Sequence, residues 1–193
     1  MNKQQWCIDK HNETNHMYDT YLPYEFHLRM VNHVGHKFKH LLDGTKEYYT
    51  GDQIINPIQQ VSLLDACLTA TWGHDLIEDC RVSYNDVKDA LGQEAADIVY
   101  AVTNEKGKNR KERANDKYYE GIRRTPGAVF VKLCDRIANV QYSKMTGSRM
   151  YEMYKKENRN FTESLGLRND MGVYFGHECY PMYEYLMSLF EEK

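Results

Sequence analysis

Between residues 58 and 79 the apolar side chains Val61, Leu64, Leu68, Trp72 and Leu76 recur every three or four positions. That is the period of one α-helical face, held for about five turns. Most of the remaining chain repeats the theme. A helix is expected over residues 25–42, then a turn-rich stretch at Asp43-Gly44 and Thr50-Gly51-Asp52. Ser83, with Asp86 three residues on, reads as a capping-box variant opening a short helix that Gly92 stops, and another begins at Glu94. Pro126, following Thr125, is expected in the first turn of a helix whose apolar stripe is Val129, Leu133, Ile137 and Val140. A last helix is expected over residues 174–191, kinked or broken by Pro181 near Cys179-Tyr180. Alternation of the strand kind is scarce. The expected class is all-α, a helical bundle.

With 193 residues, 41% hydrophobic and 27% charged, the chain can bury one real core. The expected organisation is a single domain, with a core at about 11–145 and a helical extension at about 146–193. A net charge of −3 gives no general attraction to nucleic acid or to an anionic membrane, so neither DNA nor RNA is an expected partner. No apolar run is long enough to span a bilayer, and the Met1 to Trp6 stretch has no signal-peptide character, so a cytoplasmic location is expected. Cys7, Cys67, Cys80, Cys134 and Cys179 are scattered, with no CxxC pair. They read as small apolar residues in a reducing compartment rather than as a thiolate zinc site. A homo-oligomer stays open, although the tyrosine-rich 174–185 tail reads first as a packed helix pair.

The chemistry concentrates at Gly73-His74-Asp75-Leu76-Ile77-Glu78-Asp79. On a continuous helix His74 would lie over Glu78 and Asp75 over Asp79. Three carboxylates so close together repel one another unless a cation neutralises them. Imidazole with carboxylate suits a divalent Mn, Fe, Co or Zn ion. A single helix cannot surround a metal, so further ligands must come from elsewhere. Lys132, Asp135, Arg136 and Asn139 share one flank of the helix after Pro126, opposite its apolar stripe, although an Asp between two cations can equally be a salt-bridged surface residue. Pro23-Tyr24-Glu25-Phe26-His27 puts a histidine in the first turn of an earlier helix. His11, His16, His33, His36 and His40 read as surface or packing residues. The segment from Asn104 to Arg124 carries eight basic residues, either a solvated face or a rim that meets a polyanion.

Together with Val131-Lys132-Leu133-Cys134-Asp135-Arg136-Ile137-Ala138-Asn139, these motifs resemble the HD-domain metal phosphohydrolases, and more narrowly the (p)ppGpp hydrolase domains of the RelA/SpoT type. The likeness is greatest to stand-alone small alarmone hydrolases of the metazoan SpoT-homologue kind. It runs from about His11 to Asn139, with Ala90-Leu91-Gly92 and Val102-Thr103 also fitting. The resemblance implies an HD-domain helical bundle with one Mn²⁺ ion held by His27, His74, Asp75 and Asp135, and Fe, Co or Zn as other candidates. It implies Glu78 as general base or orienter of the attacking water, helped by Asp79. Lys106, Lys132, Arg136, Asn139 and Lys155 would contact the substrate. The implied reaction is removal of the 3′-pyrophosphate from a guanosine or adenosine tetra- or pentaphosphate. The alternatives are hydrolysis of another nucleotide phosphate at the 5′ or 2′ position, or a non-catalytic nucleotide-binding regulator. The chain departs from the family pattern in two places. Thr14-Asn15-His16-Met17-Tyr18 stands where the family carries an Arg-Lys element that holds the nucleotide, and Leu28 follows His27 where a proline is usual.

Overall fold

The computed structural model describes residues 2–42, 48–50, 53–55, 57–167 and 177–191. It is an all-α bundle. Helix α1 (Lys3–Glu13) leads through the short antiparallel pair β1 (Met17–Tyr18) and β2 (Leu22–Pro23) into α2 (Glu25–Phe38), extended by a 3₁₀ turn at Lys39–Leu42. A second antiparallel pair, β3 (Tyr48–Thr50) and β4 (Gln53–Ile55), precedes α3 (Pro57–Gly73) and α4 (Leu76–Asp79). Then come α5 (Tyr84–Leu91), α6 (Gln93–Val102), α7 (Arg110–Arg113), α8 (Asp116–Arg124), α9 (Ala128–Thr146), α10 (Met150–Ser164) and α11 (Tyr180–Leu189). The two hairpins are strand structure that the periodicity did not anticipate. Of the expected turn residues, Asp43, Gly44, Gly51 and Asp52 lie outside the described residues, as do positions 174–176 of the expected last helix.

Several helix boundaries follow from local chemistry. The Asn2 side chain accepts from the N–H groups of Gln4 and Gln5 to start α1, and Asn115 accepts from Tyr118 N–H to start α8. Ser83 and Asp86 form the reciprocal capping box at α5. Pro181 occupies the first turn of α11, so it begins that helix after a 3₁₀ turn at His177–Cys179 rather than bending a longer one.

Helix α9 is the centre of the bundle and packs on α2, α3, α6, α8, α10 and α11. Its expected stripe of Val129, Leu133, Ile137 and Val140 is buried. Each large side chain of this kind contributes about 1.5–3 kcal/mol on burial. On α3, Leu64 and Leu68 are only half-buried, while Leu63, Ala66, Cys67 and Ala70 are buried. The helix is wedged between α2 on one side and α6 and α9 on the other, so its buried surface is wider than a single stripe.

Two further boundaries differ from expectation, and both matter. The 58–79 helix stops at Gly73, and His74 and Asp75 form a turn before α4. The His74 ring bonds the Thr71 carbonyl (3.0 Å), which satisfies an acceptor left over by the helix end. Helix α9 begins at Ala128, not at Pro126, because Gly127 is left-handed (φ 79°). A Cβ at Gly127 would lie 2.4 Å from the Cys67 sulfur, so only glycine allows α9 to approach α3 this closely. Gly127→Ala combines a left-handed alanine with overpacking and should lower unfolding free energy by about 3 kcal/mol in urea denaturation. Gly92→Ala, also at positive φ but facing open space, should lose distinctly less.

Candidate metal centre and cleft

Three elements bring four side chains to one point: the first turn of α2, the turn after α3, and the middle of α9. His27 and His74 are 1% and 2% exposed. Their Nε2 atoms are 3.3 Å apart. Asp75 Oδ2 lies 2.9 Å from His74 Nε2 and 3.8 Å from His27 Nε2. Asp135 Oδ1 lies 3.5 Å from His27 Nε2 and 3.8 Å from His74 Nε2. Lys132, Asp135, Arg136 and Asn139 lie along the flank of α9 that faces the cleft, as the spacing required.

The hydrogen bonds assign the proton on one ring. A carbonyl can only accept, so His74 Nδ1 carries the N–H that meets Thr71, and its Nε2 faces His27 and the two carboxylates. Two imidazole nitrogens and two carboxylates converging in a buried space need a cation among them, whether proton or metal. Burial alone would lower the His74 pKa, but Asp75 and Asp135 outweigh it and push it up to about 9. Burial would likewise raise Asp75, yet His74 holds it well below the usual carboxylate range. Asp135 is also held low, with Lys132 and His27 overcoming burial. The separations suit one divalent ion with nitrogen and oxygen ligands at about 2.0–2.2 Å. His27, His74 and Asp75 form a group able to hold a metal.

Neighbouring side chains hold this geometry. The Tyr24 hydroxyl donates to Asp75. Tyr18 stacks on His27 (centroids 4.7 Å apart, 11° between planes), and its hydroxyl donates to Asn139 Oδ1 (3.0 Å). Asn139 Nδ2 donates in turn to Asp135 Oδ1 (2.5 Å). The Asn139 amide is therefore engaged at both ends in aligning Asp135. Lys132 Nζ lies 3.1 Å from Asp135 Oδ2. Burial would lower its pKa, but Tyr118 and Asp135 raise it further, so it stays an ammonium.

These groups line a cleft of about 650 Å³. Glu78 stands at its side, accepting from Asn104 Nδ2 at 2.9 and 3.1 Å, with Arg113 Nη1 3.9 Å away. Burial, reinforced by Asp75 and Glu78, pushes Asp79 up to about 7. Arg136 is buried, packed on the rings of Phe161 (4.1 Å) and Tyr154 (4.7 Å) beside Glu157 (3.6 Å). Lys106 and Lys155 are exposed and do not line the cleft, so the structure does not bring them to the other site residues. Of the basic 104–124 stretch, Arg113 faces the cleft, whereas Lys117 pairs with Glu105 and Arg124 with Glu120 on the surface.

Tyr24, Tyr18 and Asn104 are site residues that the sequence reading assigned no role. Tyr24 sits inside the motif that supplied His27, a usable signal. Nothing local marks Tyr18 or Asn104, since their partners lie 121 and 26 residues away. Of the histidines expected as surface or packing residues, His33, His36 and His40 are exposed and His11 is fully buried in packing against Tyr24.

No family model matches the chain. Over 96 residues it is 26% identical to a guanosine-3′,5′-bis(diphosphate) 3′-pyrophosphohydrolase of Drosophila melanogaster, covering 47% of this chain and 53% of that protein. The match thus spans about half the length of the curated relative. It is a partial likeness to a hydrolase, and the His/Asp cluster described above is chemically suited to that class. Among the described residues no helix is long and apolar enough to cross a membrane.

Proposed function

We propose that the chain is an HD-type, metal-dependent phosphohydrolase that removes the 3′-pyrophosphate from a guanosine or adenosine alarmone. The observation that carries this reading is the convergence of His27, His74, Asp75 and Asp135 on one buried point, with Glu78 beside it in an open cleft. The partial likeness to a 3′-pyrophosphohydrolase supplies the substrate class. A divalent ion held by those four side chains, Mn²⁺ in this reading, would lower the pKa of a water and polarise a phosphoryl oxygen. Glu78, oriented by Asn104, takes the proton of the attacking water. Asp79, which lines the same cleft, assists Glu78 in this reading. Lys132 offsets negative charge on the phosphate, and Arg136 with its two rings offers a flat surface to the nucleoside.

A second reading, hydrolysis of a different nucleotide phosphate, draws on residues 14–18. His16 packs on Tyr24 instead of offering a cation to the cleft (centroids 3.9 Å apart). Mn²⁺-dependent turnover of ppGpp, pppGpp and ppApp, with the products separated by chromatography, tests both readings. Release of intact pyrophosphate is the expected result. Orthophosphate from a simple mononucleotide would replace the substrate class, and no turnover of any nucleotide would remove the enzymatic reading.

A further inference from the structure

At the end of α1 the chain does something its sequence does not advertise. Thr14 caps the helix and Asn15 turns left-handed (φ 52°). His16 N–H then donates to the His11 carbonyl (3.0 Å) and Asn15 N–H to the Asn12 carbonyl (3.0 Å). This is the Schellman arrangement, which brings the third residue from the helix end against the second residue beyond it. An apolar pair usually fills that contact. Here the pair is His11 and His16, with their Nδ1 atoms 3.0 Å apart.

A third donor arrives from another helix end. Cys80 caps α4, the next residue Arg81 is left-handed (φ 55°), and the Cys80 sulfur lies 3.1 Å from His11 Nδ1. One nitrogen therefore faces two partners at once, although it has a single proton or lone pair to offer. His11 is 0% and Cys80 6% exposed, and the three donor atoms all lie within 4.8 Å of one another.

We propose that His11, His16 and Cys80 form a second metal site, distinct from the four-ligand centre, for a borderline-soft divalent cation such as Zn²⁺. Two imidazoles and one thiolate are a donor set such a cation favours over Mg²⁺ or Ca²⁺. Around a tetrahedral zinc the donors would stand about 3.3–3.6 Å apart, so the spacings of 3.0 and 3.1 Å from His11 Nδ1 need only a few tenths of an ångström of opening. The C-terminal end of α1 adds a partial negative charge. A water can complete the shell, and Asp79 Oδ2 lies 3.8 Å from His16 Nδ1. A separate cleft of about 660 Å³ reaches Cys80, lined by Glu13, Asp86 and Asp89 together with Lys10 and Arg81. The lack of a CxxC pair hides the site in the sequence, because its ligands meet through two helix ends. The ion would fasten α1 to the segment after α4. Tyr24, stacked on both histidines, and Asp79 would be held beside the first centre.

Co²⁺ titration of the chelator-stripped full chain tests this. The four-ligand centre has no sulfur, so a thiolate-to-cobalt charge-transfer band belongs to the second site alone. We expect two equivalents bound and that band present in the unaltered protein. Cys80→Ser should abolish the band and leave one equivalent, with an unchanged far-ultraviolet circular dichroism spectrum. His74→Ala should keep the band and lose the other equivalent, which separates this site from the proposed phosphohydrolase centre. One equivalent without a charge-transfer band in the unaltered protein overturns the proposal whatever the variants do. A band that survives Cys80→Ser overturns it as well, since another thiol would then be the ligand.

Discussion

His74→Ala should bind no Mn²⁺ at the four-ligand centre and should lose turnover by about a thousandfold or more. The substitution removes an Nε2 that stands 3.3 Å from His27 Nε2 and 2.9 Å from Asp75. It also removes the ring whose other nitrogen is tied to Thr71. The remaining donors, one imidazole and two carboxylates, no longer enclose the ion, and the several kcal/mol of transition-state stabilisation it supplies go with it. Metal content by elemental analysis and thermal melting with and without Mn²⁺ are the measurements. In the unaltered protein, Mn²⁺ at a hundred times its dissociation constant should add about 2.7 kcal/mol of stability, and in His74→Ala that increment should vanish. Mn²⁺ retained at full stoichiometry in this variant would show that the ion sits elsewhere.

Glu78→Gln should behave in the opposite way, with full metal content and turnover reduced by about a hundred- to ten-thousandfold, the usual range for a lost general base. Glutamine keeps the shape and an acceptor for Asn104, but it cannot take a proton. Asn104 reaches Glu78 by bonds of 2.9 and 3.1 Å, so the side chain is held in place rather than swinging in solvent. Normal turnover by Glu78→Gln would sink the proposed role, and loss of metal would mean that Glu78 is a ligand. Measured together, the two variants separate holding the ion from using it.

Much of this could be read from the order of residues. The period-3.6 stripes placed α3 and α9, and the Ser83–Asp86 pair marked a helix start that the structure builds by both hydrogen bonds. The spacing of Lys132, Asp135 and Asn139 put all three on the flank that faces the cleft. What misled was continuity. Apolar periodicity carried the helix through to Asp79, whereas the chain breaks at Gly73 and carries His74 and Asp75 on a turn. Pro126 suggested the start of α9, but the approach of Gly127 to Cys67 decided it. Lys106 and Lys155, substrate contacts implied by the family resemblance alone, are exposed and lie outside the cleft lining.

The sequence alone determined that the chain is helical, and it singled out His27, His74, Asp75, Asp135 and Glu78 as a candidate site. Helical period and side-chain chemistry are local properties, and both survive in the order of residues. Only the tertiary structure decided which second neighbours hold that site: Tyr24 on Asp75, Tyr18 through Asn139 on Asp135, and Asn104 on Glu78. It alone also brought His11, His16 and Cys80 together. Two left-handed residues reverse the chain at separate helix ends, and packing of α1 against α4 closes the 69-residue gap between His11 and Cys80. No pattern along the chain encodes a contact that exists only once two helices have docked.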